Sequence, residues 1–548
     1  MKLVKSLLLG SAAGLTVVAG AQAADLPIKK AAPVEYVRVC SAYGAGFFFI
    51  PGTDTCLRVS GRARFEAGYT QNFTRGNNGG GGDLSGYRGL GRLNLDARTQ
   101  TAYGTLRAFV RFELASRTGA YLTSGTANRA ANAFPALGVD TFNRAQQYVN
   151  VDKAFIQFAG LTAGRAASFY DFYAHDFEII GTTLGSDVSS TNLLAYTATF
   201  GQGFSATLSL EDPIFRKTPI FGTGTALVNG QYQVFNSGSG NFTPVIAYNA
   251  AGVPVGVANY DVVQRSRMPD FVGALRYDAA WGSAQLSAAV HELTVGNAST
   301  ITPFNGFPAI ATGAAAAPRV SNEYGWAVQA GIKANLPFIA AGDALYLQGS
   351  YGEGANLYTG ISAYNGSWTS NGNIASGASF NQWYSDAIVD PVTGKMSLAT
   401  SWTVVASYLH YWSPEWRSAF MGSYGEIYHG QAARNNLALV SGLASTGVQP
   451  LGNPFLAQSA FNAVLRDSNQ IVAGASLIWS PVKDLDIGIE GLYTRQAINN
   501  GRVIDANKTS AVPNGVNAAG LPTLNGAVLP TTTAIDGFNV RMRVQRDF

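Results

Sequence analysis

This chain is short of charge and of the side chains that do chemistry. Charged residues make up 13% of its 548 residues, against about 25% in an ordinary globular domain. Only four histidines occur, His175, His291, His410 and His429. None stands in a His-Glu-x-x-His zinc spacing, and no phosphate loop or dinucleotide fingerprint is present. No Gly-x-Ser-x-Gly elbow appears either. His175 beside Asp171 and Asp176 could be drawn as an acid–base pair, but a chance neighbourhood is the commoner cause. These absences argue against an enzyme, and no cofactor and no metal is expected. Beyond the first residues no stretch approaches the roughly 18 consecutive apolar residues of a spanning helix. The balance of 37 Lys+Arg against 33 Asp+Glu is too even for a nucleic-acid footprint, so no nucleic-acid partner is expected.

The start of the chain reads as an address. Lys2 and Lys5 give a positive flank, Leu7 to Ala19 an apolar core, and Ala21-Gln22-Ala23 a small-x-small cleavage site. Residues 1–23 are therefore expected to be an export signal, and the mature chain to begin at Ala24. In an exported protein the two cysteines, Cys40 and Cys56, are expected to form a disulfide, with free buried thiols as the alternative. Closing a loop of that size stabilises by roughly 3 kcal/mol in the chain-entropy model. Residues 24–56 then form an N-terminal segment ahead of the main body at 57–548.

What the chain does have is alternation. In its last twelve residues Phe538, Val540, Met542, Val544 and Phe548 fall on one face, and Asn539, Arg541, Arg543, Gln545 and Asp547 on the other. That is a half-buried strand, broken on its apolar face only by Arg546. A strand at the end of a chain leaves an unpaired edge unless the sheet closes on itself. A soluble sandwich edge is the rival reading, and the remaining strands discriminate. The alternation predicts sixteen, near 57–69, 88–99, 105–116, 148–159, 160–166, 191–200, 203–211, 270–280, 283–294, 322–335, 341–351, 400–412, 415–429, 469–480, 483–497 and 537–548. Their connections alternate between short turns, such as Gly201–Gly203 and Trp281-Gly282, and long ones, such as 117–147, 212–269 and 352–399. An even strand number with turns on one rim and long loops on the other is the organisation of a transmembrane antiparallel β-barrel. Four of the eight tryptophans, Trp281, Trp412, Trp416 and Trp479, abut the short turns, where an interfacial girdle would sit. The long connections, rich in Gly, Ala, Asn and Ser, read as surface loops.

One connection is unlike the rest. Residues 167–190 carry Phe169, Tyr170, Phe172, Tyr173 and Phe177 interleaved with Asp171, Asp176 and Glu178, and later Asp187. A solvated loop has no need of five aromatics in nine residues. A loop folded into the barrel does: its aromatics would pack on the wall and its acids, Asp171, Asp176, Glu178 and Asp187, would face the pore. Opposite them the first three strands present Arg58, Arg62, Arg64, Arg92, Arg98, Arg107 and Arg111. Acids facing arginines across a gap set up a transverse field that selects solutes by size and charge. Neutralising Asp171, Asp176 and Glu178 is then expected to move permeability away from cations. A docked loop with no part in permeation is the alternative.

Tyr36–Gly46 and Phe49–Gly61, which bracket both cysteines, resemble the alphaproteobacterial porin family of Brucella and rhizobia, as do Met268–Tyr277 with Trp281–Ser283 and the final Val544–Phe548. The resemblance implies a homotrimeric, sixteen-stranded porin of the Gram-negative outer membrane, in which the third long loop folds inward. Ions and small hydrophilic solutes would pass through it passively. It also implies contact with outer-membrane lipid and lipopolysaccharide, and insertion by the barrel assembly machinery through the terminal Phe548. The long loops at 212–269, 352–399, 430–468 and 498–536 depart from the family pattern. A solute-specific, saturable channel and a barrel that only displays its loops, as an adhesin or phage receptor, are the other readings.

Overall fold

The computed structural model describes residues 38–70, 85–119, 138–139, 145–173, 179, 183–186, 190–217, 220–221, 227–228, 231–232, 242–262, 264–298, 301–303, 315–361, 384–437, 466–505, 508–509, 511 and 515–548. It divides after Leu57 into two compact units. In the smaller, the two-residue strand Phe48–Phe49 pairs with Leu57 and Cys56, and Cys40 is joined to Cys56 by a disulfide with a Cα–Cα distance of 5.9 Å. Both cysteines are buried against Phe47, with Tyr43 and Phe49 packed around them. The cysteine pair is structural.

The larger unit is a closed barrel. Its strands are β1 (Cys56–Thr70), β2 (Ser85–Thr101), β3 (Gly104–Gly119), β4 (Ala145–Phe158), β5 (Leu161–Ala166), β6 (Thr191–Phe200), β7 (Phe204–Glu211), β8 (Asp270–Ala279), β9 (Gly282–Leu293), β10 (Glu323–Asn335), β11 (Ala344–Glu353), β12 (Thr400–Tyr411), β13 (Trp416–Tyr428), β14 (Ser468–Val482), β15 (Leu485–Ile498) and β16 (Ala534–Asp547). Each pairs with the next, and β16 pairs with β1 from Arg62↔Asp547 to Thr70↔Asn539. The edge left by a terminal strand is thus consumed. Beyond β16, Phe548 exchanges two backbone hydrogen bonds with Gly61, at 2.8 and 3.0 Å. Its ring fills the space where a Cβ on Gly61 would stand, 2.4 Å from Cζ. Only glycine permits that close approach.

Closure also decides which strand face looks out. Leu208, Leu286, Ile156, Leu194, Ile489 and Met542 are exposed, whereas Glu66, Glu113, Gln285, Gln329, Gln348, Thr403 and Glu490 are buried. A protein in water does not expose an apolar band of this extent. In lipid the same band costs nothing, and a closed sheet leaves no backbone group unpaired. Trp281, Trp412, Trp416 and Trp479 are all exposed at the short-turn rim, and Trp416 stacks on Trp479 at 5.8 Å. Toward the other rim Trp326 packs on Tyr351 and Tyr493 on Phe538. Phe538 and Phe548 lie ten residues apart, about 33 Å of strand at ~3.3 Å per residue. Tilted by about 40°, that spans ~25 Å, the height of the apolar band in outer-membrane barrels.

The short turns are built for tightness. At Gly282, where φ is +145°, a Cβ would stand 1.9 Å from the Lys333 carbonyl oxygen, so the turn between β8 and β9 requires glycine. The long connections differ from the plain surface loops expected. Residues 242–249 and 254–261 form a hairpin flanked by 302–303 and 315–316. Val245 and Val262 pack beneath it with Ile220, Leu293, Ala387 and Val389 in an apolar core. The described parts of three connections therefore fold together as a cap, because their apolar residues find one another only across large gaps in sequence.

Candidate pore lining and constriction

The segment after β5 leaves the wall early. β5 has six residues where β4 has fourteen, so the upper half of β4 lacks that neighbour, and Arg165 Nε donates to the Val151 carbonyl there at 2.8 Å. From residue 167 the described backbone runs against polar residues of the inner face. Ser168 and the Phe169 amide donate to Glu211 at 2.7 and 3.0 Å. The Tyr170 carbonyl accepts from Gln285, Ser287 and Gln329 at 3.3, 2.7 and 2.9 Å. The Tyr173 amide donates to Gln348 at 3.1 Å, Leu184 to Ser423 at 2.9 Å, and Ser190 to Asp152 at 2.6 Å. At Ile179 the amide donates to Glu490 at 2.7 Å, and the carbonyl accepts from Arg543.

Of the described aromatics of this segment, Tyr170, Phe172 and Tyr173 are buried and Phe169 is half-buried. Phe172 lies against Gly331, where a Cβ would stand 2.2 Å from its ring, and both Phe172 and Tyr173 pack on Tyr346. Tyr170 meets Tyr358 edge-on at 4.8 Å. Burial drives the Tyr170 phenol far above its ordinary pKa, and the Arg216 guanidinium opposes that only in part.

Of the four acids expected to face the pore, Asp176, Glu178 and Asp187 lie outside the described residues, as does His175. Asp171 is half-buried and engaged by Arg216 and Ser186, at 2.7 and 2.6 Å. Its carboxylate is drawn to a loop arginine 45 residues on, a partner that strand alternation gives no means of finding.

The arginines of the first strands do share the inner wall, as members of a mixed ladder. Arg62 pairs with Asp547 at 2.5 Å, and Arg64 donates to Gln545 at 2.9 Å. Arg92 pairs with Glu113, Arg98 and Arg107 both grip Asp96, and Arg111 reaches Asn94 and Asp152 at 2.8 and 3.3 Å. Arg58, at the start of β1, is exposed. The expected basic wall thus carries its own acids, which lower its field while leaving dense fixed charge of both signs. A second cluster, which strand alternation alone does not assemble, joins buried Glu66 to Arg88 and Arg543. The closing register sets Glu66 opposite Arg543, and that register was the signal that would have found the pair.

Fold and lining together define the class: a transmembrane antiparallel barrel with an apolar exterior and a charged, hydrogen-bonded interior. A family model described as the porin subfamily matches residues 25–520, and the chain belongs to that family, whose members are β-barrels of the Gram-negative outer membrane. It is 34% identical over 292 residues to the porin Omp2b of Brucella canis and 32% identical over 286 residues to that of Brucella suis. Each match takes in 51% of this chain and 64% of the relative's length. Among solved structures, the outer membrane channel DcaP of Acinetobacter baumannii aligns with 91% of this chain and 99% of its own, at 12% identity and a TM-score of 0.48. An anion-selective porin from Comamonas acidovorans aligns with 90% of this chain and 100% of its own, at 11% identity and a TM-score of 0.37.

Proposed function

We propose that the protein is a passive diffusion channel for ions and small hydrophilic solutes, assembled as a homotrimer and exported by a signal at residues 1–23. The observation that carries this reading is the accessible ladder of Arg62, Arg92, Arg98, Arg107 and Arg111 on the inner wall, with side chains 20–28% exposed. Charge kept at a lumen surface inside an apolar shell has water as its solvent, and a continuous aqueous path is what such a ladder requires. Residues 167–190 would narrow that path, with Asp176, Glu178 and Asp187 facing the ladder. Asp171 would hold the segment in shape. Permeation would follow the concentration gradient, since the ladder offers charge without a closed site.

Recordings from purified protein in planar bilayers test this across salt concentrations and with added sugars. Large steps that close in threes and rise linearly with salt are expected. Saturation or block by one solute would replace the general channel with a specific one. The folded cap favours a second reading, a barrel that displays its loops, and absence of conductance from correctly folded protein would establish that reading instead.

A further inference from the structure

Arg216 lies five residues past the end of β7, with its side chain 1% exposed. Asp212 caps the short turn Pro213–Phe215 by accepting from the Ile214 amide at 3.0 Å. Arg216 follows that turn, and its guanidinium meets three segments at once. Nη2 donates to Asp171 at 2.7 Å, and Nη1 donates to Ser186 Oγ at 2.6 Å and to the Leu357 carbonyl at 3.2 Å. The ring of Tyr358 lies 4.5 Å from its central carbon and that of Tyr170 5.6 Å away. Asp171 and Ser186 belong to the two arms of the 167–190 segment, and Ser186 Oγ also donates to Asp171 at 2.6 Å. A planar cation with several donors in a fixed fork suits this junction, and a point charge does not.

The chain beyond Arg216 and the segment of its partner Leu357 both continue into the cap. Phe221, five residues on, donates from its amide to the Ala387 carbonyl at 3.0 Å. Asn356, beside Leu357, donates to Asp386 and to the Ser385 carbonyl at 2.8 and 2.9 Å.

We propose that Arg216 is a positioning residue that ties the two arms of the 167–190 segment to each other and to the cap, and so sets the opening of the pore. This rests on the reading that the segment narrows the channel. Single-channel recording of the full chain carrying Arg216→Met, Arg216→Lys, or Arg216→Met with Asp171→Asn tests it. Arg216→Met is expected to shorten the dwell in the main open state roughly tenfold, the effect of losing one strong coupling in a network. The reversal potential should stay constant, because Arg216 does not line the lumen. Arg216→Lys should fall between Met and wild type, and it serves as the test if Arg216→Met does not fold. Adding Asp171→Asn to Arg216→Met should restore part of the dwell time, because it removes the carboxylate left without its cation. A merely structural arginine would change heat stability and leave dwell times alone. Deleting residues 174–182 separates the two claims. If conductance does not rise on deletion, the constriction reading fails and this inference with it. If it rises, yet Arg216→Met and Arg216→Lys record like wild type, the role of Arg216 alone is overturned.

Discussion

The two sides of the barrel wall are made of different chemistry, and the segment after β5 treats them differently. On β1–β4 and β16 the inner face is ionic, with arginines paired to Asp96, Glu113, Asp152 and Asp547. On β9–β13 the part that meets the segment is neutral, carrying Gln285, Ser287, Gln329, Gln348 and Ser423, all less than 10% exposed. The neutral side is covered because amides and hydroxyls can satisfy a docked backbone while burying no charge. The ionic side keeps part of its surface open because desolvating that many charges would cost more than docking returns. A β-barrel can thus assign one arc of its inner face to holding a loop and leave another open to solvent.

The severest way to break this contrast is to fill the covered side. Gly331→Leu puts a side chain where the Phe172 ring lies, and overpacking of this kind costs about 1–3 kcal/mol. The aromatic arm should leave the wall, and liposome-swelling rates for larger sugars should change several-fold while heat-resistant barrel mobility on gels persists. Unchanged swelling would mean that the docked arm does not govern the opening.

A smaller effect is expected on the ionic side. Replacing Arg92, Arg107 and Arg111 together by Gln keeps hydrogen-bond donors but removes three positive charges. The reversal potential in a salt gradient should move toward cations, by on the order of twofold in permeability ratio at low salt. The shift should shrink at ~1 M salt, where screening acts within about 3 Å. Lack of any shift would remove the ladder from the permeation path.

The finest test compares two amides on the same arc. Gln329 donates to the Tyr170 carbonyl, whereas Gln348 accepts from the Tyr173 amide. Gln329→Glu therefore loses its donor and sets a carboxylate against a carbonyl, a loss of about 1–3 kcal/mol, while Gln348→Glu keeps its acceptor. Altered gating is expected for the first and not the second. It should be relieved as acid protonates the introduced carboxyl, which can then donate again. Equal behaviour of the two variants across pH would mean that the polarity of these bonds is irrelevant to the loop.

Much of the barrel was legible because a strand writes its two faces into every second residue. The sixteen expected strands are the sixteen found, their ends shifted by a few residues, as where the turn after β14 lies at 483–484 and not from Ser480. The tryptophans at the short turns were legible for the same local reason. Asp171 was expected to face the wall arginines and is instead engaged by Arg216, which comes from a loop with no periodicity to place it. The two-residue period puts Glu66, Arg88 and Arg543 on the polar faces of their strands. Their meeting depended on how β1 and β16 align when the sheet closes. The cap went unseen because Ile220, Val245 and Val389 come from stretches that look like ordinary loop when read singly, and they meet at Leu293, the end of β9.

By itself, then, the sequence determined the number of strands, their alternation and the rhythm of turns and loops, all of which arise from contacts between near neighbours. The tertiary structure decided which face meets lipid, which charges pair, and where the aromatic segment docks. Those outcomes depend on closure and on contacts between residues tens to hundreds of positions apart, and no local pattern in the chain encodes such distances.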